Sequence, residues 1–205
     1  MARSSTPIAK QSRREGYALH PKAHKIMARK SGIPGQHADM RVRGGNLYLT
    51  QLREKQKVRH IYGLLEKQFA KLMREAQKAE GRTGEALLNY LERRVDNAVY
   101  RAGFATSRRT ARQLVSHGHF TLNGHRINIP SIRTKPGDIL EVRPKAQNNI
   151  YFKNLENVIG ATGQPALSWL KTDIKKRKIE ITGSPKREEA EVGINEQLIV
   201  EYYSR

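Results

Sequence analysis

Residues 106–129 read TSRRTARQLVSHGHFTLNGHRINI, and within this stretch the hydrophobic period changes from helical to alternating. Thr106 or Ser107 can cap a helix, because a short hydroxyl side chain accepts a hydrogen bond from the first free backbone amides. Ala111, Leu114 and Val115 then recur at helical spacing to about His117, and Gly118 closes the element. Beyond Gly118 the period falls to two, with Phe120 and Leu122 before Asn123-Gly124 and with Ile127 and Ile129 on the return strand. Asn-Gly is the strongest short hairpin signal, since both central residues of the favoured two-residue turn need positive φ. A helix running straight into a hairpin makes the fold class α+β.

Reading outward, Lys135-Pro136-Gly137-Asp138 is a turn into a strand at Ile139 to Val142. Upstream, Leu87, Leu88, Leu91, Val95, Ala98, Val99 and Ala102 form one stripe of a helix that Gly103 stops. Residues 93–145 are thus predicted to be two helices meeting at a helix-turn-helix-like corner and packed on a short antiparallel sheet. Before them, Val58, Ile61, Tyr62, Leu65, Phe69, Leu72, Met73 and Ala76 predict one long helix from Leu52, interrupted at Gly81 and Gly84. Residues 1–46 lack a sustained period and read as an extended basic arm with turns, ordered chiefly by its partner. The tail predicts a helix around Ile150 to Ile159 and strands at Trp169–Leu170, Ile179–Ile181 and Leu198–Tyr202, returning to the central helices with Trp169 as anchor. The expected organisation is an arm over 1–46, a helical domain over 47–92 completed by 146–205, and a module over 93–145.

The chain holds 39 Lys and Arg against 19 Asp and Glu, a net charge of +20. Such a molecule repels itself, so it calls for a polyanion, and nucleic acid rewards many cations at once by releasing counterions. Residues 1–60 hold 14 basic and 3 acidic residues, 61–92 hold 5 of each, 93–145 hold 11 and 3, and 146–205 hold 9 and 8. Two basic blocks separated by a neutral one predict two RNA-facing surfaces on an ordinary scaffold. A membrane is not expected as the partner, since no apolar run approaches the roughly 18 residues of a span and no lipidation signal is seen. The basic start reads as part of the arm rather than as a targeting segment. The absence of cysteine excludes disulfides and thiolate metal sites and fits a reducing, cytoplasmic setting.

Two constellations carry the expected chemistry. In Gln51 to His60, the five basic side chains Arg53, Lys55, Lys57, Arg59 and His60 cannot all pair with Glu54. A charge run is ordinarily a solvated helical face, but continuity with the basic arm favours RNA contact. On the next basic block, Arg108, Arg109 and Arg112 share a sector apart from Ala111, Leu114 and Val115, so the helix can dock its apolar side and aim arginines outward. Arg13, Arg14, Arg94, His117, Asn123 and Arg126 complete the expected RNA contacts on the arm, the module and its hairpin. His20 and His24 have a spacing that zinc can use, but no second ligand pair accompanies them, and neither metal nor cofactor is expected. Asp96 reads as an ion-pair partner or turn organiser. Phosphate-binding loops, zinc-protease motifs and nucleophile elbows are absent, so an enzyme with a small-molecule substrate is not expected.

Pro34-Gly35-Gln36-His37, Gln51 to Arg59 with Ile61-Tyr62-Gly63, Glu92 to Phe104, Ala111 to His119, Asn123-Gly124 and Asn195 to Ser204 together resemble the bacterial family of small ribosomal subunit protein four, in the family's order along nearly the whole chain. The resemblance implies a structural protein that binds the 5′ domain of 16S ribosomal RNA and nucleates small-subunit assembly. It further implies a place beside small-subunit protein five, near the messenger entry channel, and makes Arg41 and Arg43 candidates for messenger RNA contact. Some relatives hold zinc through a cysteine cluster in the arm; this chain has no cysteine, so that property does not carry over. The alternatives are an RNA-modifying enzyme or a free ribosome-associated RNA chaperone bearing the same module. The enzyme would need a catalytic domain that the roughly 60 residues beyond the module do not provide.

Overall fold

The computed structural model describes residues 6–30, 32–36, 46–155, 157 and 167–204. Two helices occupy the segment read as an extended arm: α1 (Ile8–Glu15) and α2 (Pro21–Arg29). Gly16 ends α1 in the left-handed region, at φ +63°. The His20 imidazole accepts from the Lys22 amide to cap α2, and Pro21 supplies a first residue that needs no donor. Their period is hidden in the sequence because α1 buries Gln11 and Ser12 rather than apolar residues.

The long helix predicted from Leu52 is two helices, α3 (Leu47–Ile61) and α4 (Glu66–Gln77). Gly63, at φ +63°, breaks the ladder between them, and the Leu64 amide donates back to the Arg59 carbonyl over 2.9 Å. Tyr62 and Leu64 are buried, so the apolar pattern runs through the break unmarked. The stripe from Leu87 to Ala102 is likewise divided into α5 (Thr83–Glu92) and α6 (Val95–Arg101). There the Val95 and Asp96 amides leave the helical ladder for the carbonyls of Ile132 and Pro130, at 2.9 and 3.3 Å.

The decisive stretch folds as read. Ser107 Oγ accepts from the Thr110 amide to start α7 (Arg108–Ser116), and Gly118 leaves it at φ +70°. Strands β1 (Phe120–Leu122) and β2 (His125–Ile127) are joined through Asn123 and Gly124, at φ +50° and +80°. The return strand stops at Ile127, however, and Ile129 is about half exposed, because the chain turns there to serve the start of α6. After β3 (Ile139–Val142) come two single turns, α8 (Pro144–Gln147) and α9 (Ile150–Lys153). Within the helix expected over 150–159, α9 ends at Lys153, Asn154 is a turn, and Leu155 and Asn157 are again helical; Glu156, Val158 and Ile159 fall outside the described residues. Strands β4 (Leu170–Asp173) and β5 (Lys178–Ile181) complete one antiparallel sheet in the order β2-β1-β3-β5-β4.

The final predicted strand, Leu198–Tyr202, is instead the helix α10 (Glu196–Tyr203), capped by the Asn195 side chain on the Gln197 amide. Described residues group into two compact units, one within 1–87 and 192–205, the other within 88–191. The described residues of 146–191 therefore belong with the module, whereas the sequence assigned them to the helical part. The reason is that β5 pairs directly with β3, Leu140 opposite Ile179. In the 88–191 unit, α6, α7 and the sheet share a core of Val95, Val99, Val115, Phe120, Leu140, Ile179 and Trp169. Phe120 meets Phe104 and Phe152 edge-on. In the other unit α3 packs on α10, and α4 buries Phe69, Leu72, Met73 and Ala76. None of the described helices is long and apolar enough to cross a membrane.

Candidate nucleic-acid interface

On α7 the three arginines have three different environments. Arg108 lies near the apolar side of the helix, stacks over Tyr100 at 4.6 Å, donates to Asn97 Oδ1 over 2.9 Å and pairs with Glu191. Arg112 approaches Asp96 at 3.8 Å, and burial pushes its guanidinium below the usual value without removing its charge. Of the three, Arg109 alone is exposed. The expectation that all three face outward therefore fails for Arg108 and Arg112. At about 100° per residue Arg108 sits next to Val115 on the wheel, so it folds into the corner with α6.

That corner is built by buried charges. Arg94, itself an expected RNA contact, is 5% exposed and grips Asp96 with two bonds of 3.0 and 2.8 Å. Glu92 receives two bonds from Arg101, at 3.0 and 2.9 Å, and one from Asn97 at 2.7 Å. Arg101 also reaches Glu191 at 3.5 Å. Asp96 is the ion-pair partner that the sequence suggested. Acids that would otherwise neutralise the surface are thus consumed inside. Of the module's arginine and histidine side chains expected to meet RNA, Arg109, His117 and Arg126 are left exposed.

At the hairpin, Asn123 is a turn organiser rather than a free amide. Its Nδ2 donates to Asp138 Oδ1 and its Oδ1 accepts from the Ile139 amide, both at 2.9 Å. The Arg126 guanidinium lies over Gly118, so close that a Cβ there would meet its Nε at 2.7 Å. Arg143 donates to the Gly118 carbonyl over 3.1 Å, and the His117 and His119 rings lie 5.9 Å apart. Burial, then His117 and Arg143, hold the His119 imidazole below its ordinary value and so neutral. His119, one of the histidines that the sequence gathers near the hairpin, joins this basic end of the module together with Arg143, which the sequence reading did not select. Their place, flanking β1 and β3 at the end of α7, is set by the sheet.

The Gln51–His60 run behaves differently from expectation. Arg53 pairs with Glu15 at 3.2 Å, Lys55 with Glu66 at 2.9 Å, Lys57 with Glu54 at 2.8 Å and Arg59 with Glu66 at 3.8 Å, and the His60 ring lies 3.6 Å from the Glu15 carboxylate. Two acids distant in sequence supply the counter-charges that Glu54 could not. Lys55 is buried on the apolar face of α3 beside Val58, 4.6 Å from the Tyr202 ring, and cannot reach a phosphate. Arg53, 40% exposed, is the most accessible of the four Lys and Arg side chains in the run. Burial pushes the Glu15 carboxyl up, against the pull of Arg53, Arg14, Arg59 and Lys57.

Arg13, partly buried, donates to the Gly32 and Ile33 carbonyls, while Arg14 is exposed. Arg41 and Arg43 lie outside the described residues. His20 acts as a helix cap, and among the described residues no group of three His, Asp or Glu is placed to hold a metal. The sequence reading missed a row of exposed cations on α4, because Lys67, Lys71, Arg74 and Lys78 lie in the segment whose charges balance. Helical spacing was the signal that could have found them.

Residues 3–92 match the family described as ribosomal protein S4/S9 N-terminal domain, and residues 93–140 match the S4 domain. The chain is similar to small ribosomal subunit protein uS4 of Roseiflexus castenholzii, with 48% identity over 206 residues. It is also similar to the uS4 proteins of Clostridioides difficile, at 45% over 211 residues, and Thermus thermophilus, at 44% over 212 residues. In all three cases the whole of both chains is covered.

Proposed function

The chain belongs to the uS4 family of small ribosomal subunit proteins, and from that premise we propose that it binds the 5′ domain of 16S ribosomal RNA and nucleates small-subunit assembly in the cytoplasm. It is a structural ribosomal protein and not an enzyme. The observation that carries the RNA reading is the separation of charge in the module. Asp96 is buried in an ion pair with Arg94, whereas Arg109, His117 and Arg126 remain exposed. Arginine suits folded RNA because its planar fork binds phosphate and stacks on splayed bases, and histidine adds a ring that can stack.

Arg14 and Arg53 extend the contact in the other unit. Leu47, Tyr48 and Leu49 at the start of α3 are exposed apolar side chains, and Tyr202 lies against Tyr48 at 5.8 Å between ring centres. Such a patch suits a protein neighbour better than phosphate, and we assign it to small-subunit protein five. Arg41 and Arg43 are assigned to incoming messenger RNA at the entry channel. Footprinting the purified protein on protein-free 16S RNA tests the central reading. Protections confined to the 5′ domain are expected; uniform protection along the RNA would contradict it.

A further inference from the structure

Along α4 and its C-cap residue, Lys67, Lys71, Arg74 and Lys78 follow one another at steps of four, three and four. At about 100° per residue they fall within a sector of roughly 60°, centred opposite the side that buries Phe69, Leu72, Met73 and Ala76. All four are exposed, and the sector holds nothing else. Successive members stand about 5–6 Å apart at Cβ, and like charges at these steps repel, so the row gives the isolated helix no stability. The Glu66 carboxylate at the helix start is engaged with Lys55 and Tyr203. Glu75 flanks the row on one side, and a shallow depression runs along the four cations between Glu75 and Gln77.

We infer that this row is a second RNA surface that tracks a phosphate backbone without reading sequence. The inference rests on the RNA-binding reading above and adds to it a site in the other compact unit. A protein partner would need apolar or aromatic anchors at the centre of its contact, and the sector offers none. Regularly spaced lysines are compact point charges, suited to phosphates and poor at the bidentate recognition of bases. Neutralising phosphates releases counterions, and the same contact relieves the repulsion along the helix.

The full-length K67Q/K71Q/R74Q/K78Q variant is compared with the wild type on a transcript of the 16S 5′ domain and on an unrelated RNA duplex, each across a salt titration. The slope of log affinity against log salt should fall in magnitude by about 3 to 4, with at least about a tenfold loss of affinity on both RNAs. The melting temperature should hold or rise. Should it drop, the K71Q/K78Q pair is read instead, with a slope change of about 2 expected, and K67R/K71R/K78R must retain wild-type binding. An unchanged slope while the wild type binds normally overturns the α4 surface alone. A wild type that binds no RNA overturns the underlying reading. Loss of binding to polyglutamate with RNA binding intact would reassign the row to an acidic protein and also overturn the inference.

Discussion

Arg109 and Arg112 lie three residues apart on α7, yet they answer to different physics. Arg109 is exposed and can meet phosphate, so Arg109→Gln should leave the melting temperature unchanged and lower the salt slope by about 1. Asp96 holds Arg94 in a site where both side chains are nearly inaccessible, so Asp96→Asn should cost about 3 kcal/mol by stranding a buried charge. Urea unfolding and RNA affinity, measured on both variants, separate the two roles; a stable Asp96→Asn would show that the corner does not need its ion pairs. Glu66 gives a pH test. Burial raises its carboxyl, but hydrogen bonds from Lys55 and Tyr203 outweigh this and leave it lower than usual. Its contribution is therefore complete above the unfolded value of about 4.3 and is lost as pH falls through the lower folded value. Glu66→Gln should reduce stability at neutral pH and flatten the acid limb of the stability curve; an unchanged acid limb would mean that these bonds do not stabilise the fold. Such pairings are illegible in the sequence because Glu15 and Glu66 reach α3 from other elements.

Periodicity locates the helices but not their ends. Tyr62 and Leu64 keep the apolar pattern alive across a break, so only Gly63 marks it. Nothing lies within 4 Å of a Cβ built at Gly63, which isolates the backbone effect. Gly63→Ala should accordingly cost about 1–2 kcal/mol through left-handed strain alone, read as a shift in urea midpoint at constant slope. No shift would mean that the turn between α3 and α4 relaxes freely. The Ser107 cap, Gly118 and Asn123-Gly124 are legible because each demand is met by neighbours a few residues away. The division between α5 and α6 is not, since it depends on carbonyls near Pro130 and Ile132 that the fold brings up from beyond the hairpin. Leu198, Ile199 and Tyr202 fit either a strand or a helix, and the Asn195 cap, together with packing on α3, decides for α10. Leu114, read as a core residue, is only partly buried at the margin of the core.

At the scale of the whole chain, the net charge of +20 by itself points to a polyanion. It does not reveal which cations are available. Internal pairing withdraws Lys55 and Arg94, and helical geometry gathers the α4 row out of a segment with balanced charge. What remains exposed must still neutralise enough phosphate to hold folded RNA. The most direct measurement is the affinity of the purified protein for the protein-free 5′ domain of 16S RNA as a function of salt. With about 8 phosphates neutralised, log affinity should fall against log salt with a slope of about 5 to 7 in magnitude. A slope near about 1 would mean that these basic surfaces are not what binds RNA.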